Sequence, residues 1–407
     1  MDLLIKKAHI FDEKGKRDIG IENGKISEIG SVKSEAKKVI DADGRLIYSC
    51  YIDPHIHLDK VLIADDLPPN KSGTLKEAIE LIWDRKKKYT VEDVKKRAKE
   101  VMKKGISNGT LKMRTSVDVD TIGGLTPLEG VLAAREEMKN EIDLDIVAFP
   151  QEGIVRDPGT EDLMREAMKK GADLVGGMPH HEKSHSYAEE HVDIVFDIAN
   201  KFGVDIDMHV DETDDPDSRT LEIVADKTIE EGYEGRVTAA HTCALAAYPD
   251  DYAKKVIEKV KEANINMVTN PVTNLVVQGR EDKQPIRRGI TRVKELLKAG
   301  INVSFGQDCV KDAFYPFGQA DMLEVALFTA HTAQLTNPDE IKTVFRMMTD
   351  NAAKILGIED NYGVEVGKPA DLVMVDAPTA AEAIRLHPPK RWVVRKGKLV
   401  SSPDREH

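Results

Sequence analysis

Between residues 46 and 305 this chain repeats one pattern eight times: a short apolar run, then a stretch long enough for a helix. The apolar runs are 46–52, 109–119, 143–149, 172–178, 205–210, 236–240, 265–268 and 301–305, with helical patterns such as 161–170, 190–201 and 251–263 between them. Strands separated by helices must run parallel, because each helix carries the chain back to the starting edge of the sheet. Eight such units argue for an α/β fold, a closed (β/α)8 TIM barrel, in preference to an open sheet.

The two ends of the chain read differently. Residues 3–10, 18–22, 25–29 and 38–41 are short strand patterns, with Asn23-Gly24 as a hairpin signal. Residues 370–375, 391–395 and 398–400 repeat that style, with a turn at Lys396-Gly397. The expectation is a small β-sandwich domain built from both termini, 1–49 and 362–407, beside a barrel domain of residues 50–361.

Composition narrows the function class. A length of 407 residues suits a barrel with an appendage, and 41% hydrophobic with 32% charged residues is the balance of a soluble globular protein. The net charge of −13 argues against nucleic acid or an anionic membrane as the partner. No stretch approaches the length of a membrane span. The N-terminus places its apolar residues before its charges, unlike a signal peptide. The cysteines, Cys50, Cys243 and Cys309, are too few and scattered for a disulfide framework. A cytoplasmic location is expected.

In a barrel of this kind, chemistry resides at the C-terminal ends of the strands. The first strand runs into Asp53-Pro54-His55-Ile56-His57, and alternation along a strand turns His55 and His57 the same way. The third ends at Gln151-Glu152, the fifth at His209-Val210-Asp211-Glu212, the sixth at His241, and the eighth at Gln307-Asp308-Cys309. Four of the twelve histidines thus face one rim. Three imidazoles and a carboxylate suit a borderline divalent ion, Zn2+ or Fe2+, and leave a position for water whose ionisation the metal brings toward neutral pH. Asp308 can both ligate and accept a proton. Glu212, three residues past His209, is placed to shuttle protons, or else it is a surface carboxylate in the acidic run 211–215. The fourth strand ends at Gly177-Met178-Pro179-His180 without a lysine, which favours one metal over two and leaves His180 as a rim or loop residue.

The stretches 54–59, 209–215, 236–242, 278–280 and 287–294 resemble those of the amidohydrolase superfamily, cytosine deaminases in particular, and the similarity runs over nearly the whole chain. The resemblance implies one divalent metal on His55, His57, His209 and Asp308, proton transfer by Glu212, and a hydroxide steadied by His241. It also implies that the Gln151 amide holds the carbonyl and N–H edge of a heterocyclic substrate. Related deaminases associate, so a homo-oligomer is expected.

Two departures bear on the substrate. Where cytosine deaminases read His-Asp-Asp, this chain reads Gln307-Asp308-Cys309: the ligand stays, and Cys309 replaces the carboxylate that faces the substrate's amino group. A pocket-closing tryptophan corresponds to Phe314. Loss of a charge-assisted hydrogen bond costs about 1.5–3 kcal/mol, so the ring need not be cytosine. A cytosine-type ring, cytosine or isocytosine, is favoured on overall similarity, and creatinine is the alternative. Residues 114–120 and 173–177 also resemble N-isopropylammelide hydrolases, which on this reading lack the His-x-x-Glu present here as His209 and Glu212. The expected function is hydrolytic deamination of a small nitrogen heterocycle at an amidine-type carbon. Creatinine iminohydrolysis, cyclic-amide or N-alkylamino-triazine hydrolysis, and a non-catalytic scaffold are the competing readings. Cys309 as nucleophile or soft ligand is a further alternative, and Cys243 is expected to pack.

Overall fold

The computed structural model describes residues 1–284, 286–287, 289–389 and 391–403; Arg288 of the 287–294 stretch lies outside them. The N-terminal strands are β1 (Leu3–Ile10), β2 (Arg17–Glu22), β3 (Lys25–Gly30), β4 (Lys38–Asp41) and β5 (Leu46–Ser49). Asn23 and Gly24 both take positive φ, 51° and 77°, the conformation that a two-residue turn between twisted strands requires. β1 changes partner part-way. On one edge Leu3–Ile5 and Ala8 pair with β2; on the other Leu3–Lys6 pair with β4 and, past Lys7 at φ 55°, His9 and Ile10 pair with β5.

The barrel strands are β6 (Tyr51–Ile56), β7 (Thr110–Asp118), β8 (Asp143–Phe149), β9 (Leu174–Gly177), β10 (Ile206–Val210), β11 (Val237–His241), β12 (Asn266–Thr269) and β13 (Val303–Phe305). They lie side by side in chain order and pair in parallel. The closing seam between β13 and β6 lies beyond the end of β13. There the Asp308 N–H donates to the His55 carbonyl (2.8 Å) and the His57 N–H donates to the Asp308 carbonyl (3.0 Å). Every residue of β6 and of β9 to β13 is buried, which explains why these strands read as continuous apolar runs.

β14 (Leu372–Val375), β15 (Arg391–Arg395) and β16 (Lys398–Ser401) return to the first sheet, in the order β16-β15-β14-β5-β1-β2-β3. Leu3, Ile5, Ile19, Ile21, Ile26, Ile47, Leu372 and Val394 form their own apolar core under it. Both termini therefore fold into one mixed sheet outside the barrel.

Two sequence readings need correction. The run 46–52 is not one barrel strand. It divides at Cys50, whose N–H donates to Asp371 O (2.9 Å) and whose carbonyl accepts from the Tyr362 hydroxyl (2.6 Å). β5 thus belongs to the terminal sheet, and β6 opens the barrel. Both halves are buried apart from a half-buried Tyr48, so apolarity alone did not mark the break. The helix expected over 190–201 begins earlier, spanning His185–Phe202, because the Ser184 side chain accepts from the Tyr187 N–H and caps a polar first turn. Among the described residues no helix is long and apolar enough to cross a membrane.

Gly306 sits in the closing seam. A Cβ there would lie 2.6 Å from His55 Cβ, 2.6 Å from the His55 carbonyl oxygen and 2.9 Å from Asn270 Oδ1. Gly306→Ala is expected to cost about 1–3 kcal/mol by overpacking and to move His55. Thermal unfolding should show the loss, and metal content should fall with it.

Candidate active site at the C-terminal rim of the barrel

His55 and His57 leave the end of β6, His209 lies in β10, and Asp308 follows β13. Their ligand atoms all lie within 4.8 Å of one another, and all four residues are buried. His57 Nδ1 is 3.1 Å from the Ser116 carbonyl, which can only accept, so Nδ1 carries the proton and Nε2 presents a lone pair. That lone pair faces His209 Nε2 at 3.0 Å and Asp308 Oδ1 at 3.3 Å. His55 Nε2, 3.5 Å from Asp308 Oδ1, has no hydrogen-bond partner. Converging lone pairs without a donor among them fit a cation, and the set of imidazoles with one carboxylate fits a borderline divalent one.

The ionisation states agree. Burial, with the Lys60 charge nearby, brings His57 down to about 4, and burial with neighbouring imidazoles holds His209 well below its usual value. Burial opposes ionisation of Asp308, but the imidazoles of His241, His55 and His57 hold its carboxyl well below the carboxylate range. Neutral imidazoles and an ionised carboxylate are the forms that bind metal. Backbone strain gathers here too: Asp308 and His241 have φ of 63° and 69°.

Glu212 is not a surface carboxylate. It is 4% exposed, whereas Asp215 in the same acidic run is exposed. Its Oε1 lies 3.1 Å from His241 Nδ1 and accepts from Asn274 Nδ2 at 3.0 Å. Burial opposes charge on His241, but the carboxylates of Glu212 and Asp308 outweigh it and raise the imidazole above its ordinary value. Asn270 Nδ2 lies 3.1 Å from the other ring nitrogen. Asn270 and Asn274 flank the start of the helix Pro271–Val277 after β12 and stand one turn apart. The sequence reading gives the loop after that strand a part in closing the pocket but singles out no residue there, although Asn270-Pro271 marks a helix start.

His57, His209, Asp308 and Glu212 line an inner chamber together with Gln151, Cys309, Phe314, Thr273 and Leu75. It offers about 20 Å³, room for about one water. Leu75 and Glu212 also line an outer cavity of about 750 Å³, whose walls include Trp83, Arg156, His180 and Gln278. His180 thus faces the outer cavity and not the chamber. Burial pushes the Cys309 thiol well above its usual range, so it stands in the wall as a neutral thiol. Asp312, also unremarked in the sequence, accepts from the N–H groups of Phe314 and Tyr315 (2.9 Å each) and shapes the turn that carries Phe314. Cys50, Cys243 and Cys309 are all free and buried.

Gln151 enters the chamber with its carbonyl already engaged, because Lys60 Nζ donates to Oε1 at 2.7 Å. Lys60 also donates to Asp118 Oδ1 (2.6 Å), and Lys86 lies 2.6 Å from both Asp118 Oδ2 and Asp120 Oδ2. Its signal in the sequence was the position of Lys60 directly after the histidine motif.

Comparison with known proteins agrees with this geometry. The model of the amidohydrolase family matches residues 38–401. The chain is 33% identical to N-isopropylammelide isopropyl amidohydrolase of Pseudomonas sp. (strain ADP), covering 98% of this chain and 97% of that protein. It is 32% identical to the pterin deaminase of Rhizobium rhizogenes, covering 96% and 89%. Among solved structures, 5-methylcytosine deaminase from Klebsiella pneumoniae liganded with 5-fluorocytosine superposes with a TM-score of 0.95 at 37% identity, covering 99% of this chain and 98% of that one. The chain belongs to the amidohydrolase family and is a hydrolase of carbon–nitrogen bonds.

Proposed function

We propose that this enzyme hydrolytically removes the amino group from a ring carbon of a cytosine-type nitrogen heterocycle and releases ammonia, using one divalent ion, zinc or ferrous, on His55, His57, His209 and Asp308. The observation that carries the reading is the placement of Glu212. Its Oε1 is coupled to His241, and the residue lines the same chamber as His57, His209 and Asp308. The names of the pterin and 5-methylcytosine deaminases, similar along most of the chain, support deamination of an aminated ring.

A divalent ion in this position supplies Lewis acidity and eases the ionisation of water near neutral pH. The protein's groups do the rest. Glu212 takes the proton that the attacking water loses and returns it to the ring nitrogen beside the reacting carbon. His241, held at Nδ1 by Glu212 and flanked by Asn270 and Asn274, steadies the attacking water. As the carbon–nitrogen bond breaks, the water's second proton leaves with ammonia and the ring carbon becomes a carbonyl. Gln151 orients the ring, Phe314 closes over it, and Cys309 offers a soft wall in place of an acceptor.

The similarity to N-isopropylammelide isopropyl amidohydrolase favours a second reading, release of an alkylamine from a triazine carbon. Both reactions attack an aminated ring carbon, so one panel separates them. Purified metal-loaded protein is tested on cytosine, isocytosine, 5-methylcytosine, a pterin, creatinine and N-isopropylammelide, with ammonia and isopropylamine measured separately. The reading expects ammonia from an aminopyrimidine. Amine from the triazine alone selects the second reading, and no product from any ring withdraws both.

Glu212→Gln should lower kcat by about 10²–10⁴ while metal content stays unchanged; full activity would remove Glu212 from the proton path. Chelation should abolish turnover, with one equivalent of ion per chain restoring it. His209→Ala should not be restored, and two ions per chain at saturation would point instead to cyclic-amide chemistry.

A further inference from the structure

Lys60 is among the largest fully buried side chains of the molecule, yet it does not line the chamber. Its ammonium makes two short contacts, to Asp118 Oδ1 (2.6 Å) and Gln151 Oε1 (2.7 Å). It also stands over the Phe149 and Phe314 rings at 5.6 and 5.7 Å. Asp118 is shared with Lys86, which is further held by Asp120 and lies 3.6 Å from Glu152 Oε1. The Trp83 indole N–H donates to that same Glu152 oxygen (2.9 Å). The ammonium is therefore fixed from behind by a buried row of ions.

That arrangement acts on the Gln151 amide. Such a group has two chemically different ends, and in an ordinary site it can turn over to suit its ligand. Here turning over would place two N–H donors against a buried ammonium, so the oxygen must face Lys60. Gln151 lines the chamber, and its amide nitrogen is left with the Met178 sulfur at 3.4 Å as its partner, a weak acceptor that a ligand readily replaces. A substrate N–H brought to the second lone pair of Oε1 would also approach the ammonium and be repelled.

We propose that Lys60 is a positioning residue that fixes the polarity of the Gln151 amide, so that the chamber admits rings turning a carbonyl oxygen toward Gln151. This rests on the reading of the chamber as the heterocycle site. It goes beyond that reading by naming which edge of the ring is recognised and what enforces the choice. An engaged amide oxygen also narrows the sequence expectation that Gln151 serves a carbonyl and an N–H together.

The test compares cytosine with the diaminopyrimidine in which an amino group replaces the ring carbonyl. Dissociation constants of both are measured by calorimetry on metal-loaded protein and on metal-loaded Lys60→Met, which keeps the length of the side chain and removes its charge. The wild type should favour cytosine by about a hundredfold, because a site built around a buried donor rejects a ligand that leaves it unpaired. Lys60→Met should narrow the ratio to about tenfold or less, since the freed amide can turn to serve either ring. An unchanged ratio overturns the proposal. A merely structural role of Lys60 would weaken both rings together. Should the wild type bind neither ring, the heterocycle reading fails, and a crystal structure of the unliganded variant decides the positioning role. Gln151 displaced from Oε1's present position upholds it, and Gln151 unmoved overturns it. If the uncompensated Asp118 prevents folding, Lys60→Met combined with Asp118→Asn removes both charges and carries the same comparison.

Discussion

The barrel closes on a pair of backbone hydrogen bonds, and the residues that make them are also metal-ligand candidates. β13 ends at Phe305, too early to complete the ring of strands by itself. Closure falls to Asp308, whose N–H and carbonyl bond the carbonyl of His55 and the N–H of His57. Two of the three imidazoles and the single carboxylate are thereby placed relative to each other by main-chain geometry before any side chain is considered. A cation bound there would draw together the two edges of the seam, so metal affinity and the integrity of the barrel are coupled.

Much of this was legible in the sequence because it is written in periodicity. Seven of the eight apolar runs map onto one parallel strand each and the end of the first opens the eighth, and an imidazole or carboxylate at the end of a barrel strand can hardly point elsewhere than the rim. His55, His57, His209, Glu212, His241, Gln151, Asp308, Cys309 and Phe314 meet around one chamber for that reason. What stayed hidden depends on burial and pairing, which no period encodes. The break at Cys50 lies inside an unbroken apolar run. Lys60, Lys86, Asp118 and Asp120 look like ordinary surface charges until the structure buries them. Asn270 and Asn274 carry no charge and no metal-ligand signature, yet they hold His241 and Glu212.

The buried ions are a costly way to build a wall. Removing two lysines and several carboxylates from water is repaid only when each finds close partners, and here the contacts are 2.6 Å long. An apolar wall would hold the barrel at less electrostatic risk, but it would exert no directional force on an amide. Such networks trade stability for orientation, and this one ends on a residue of the chamber.

A chamber with room for one water also sets the terms on which anything enters. A ring cannot slide in beside bulk solvent; it must push back what encloses the space, and Leu75 at the start of its helix is the side chain common to the inner and outer volumes that carries no polar group. Once the ring is seated, the nucleophile is a counted reagent and not a solvent. One molecule is consumed for each ring that is hydrolysed, so a second must reach the chamber before the next cycle can begin.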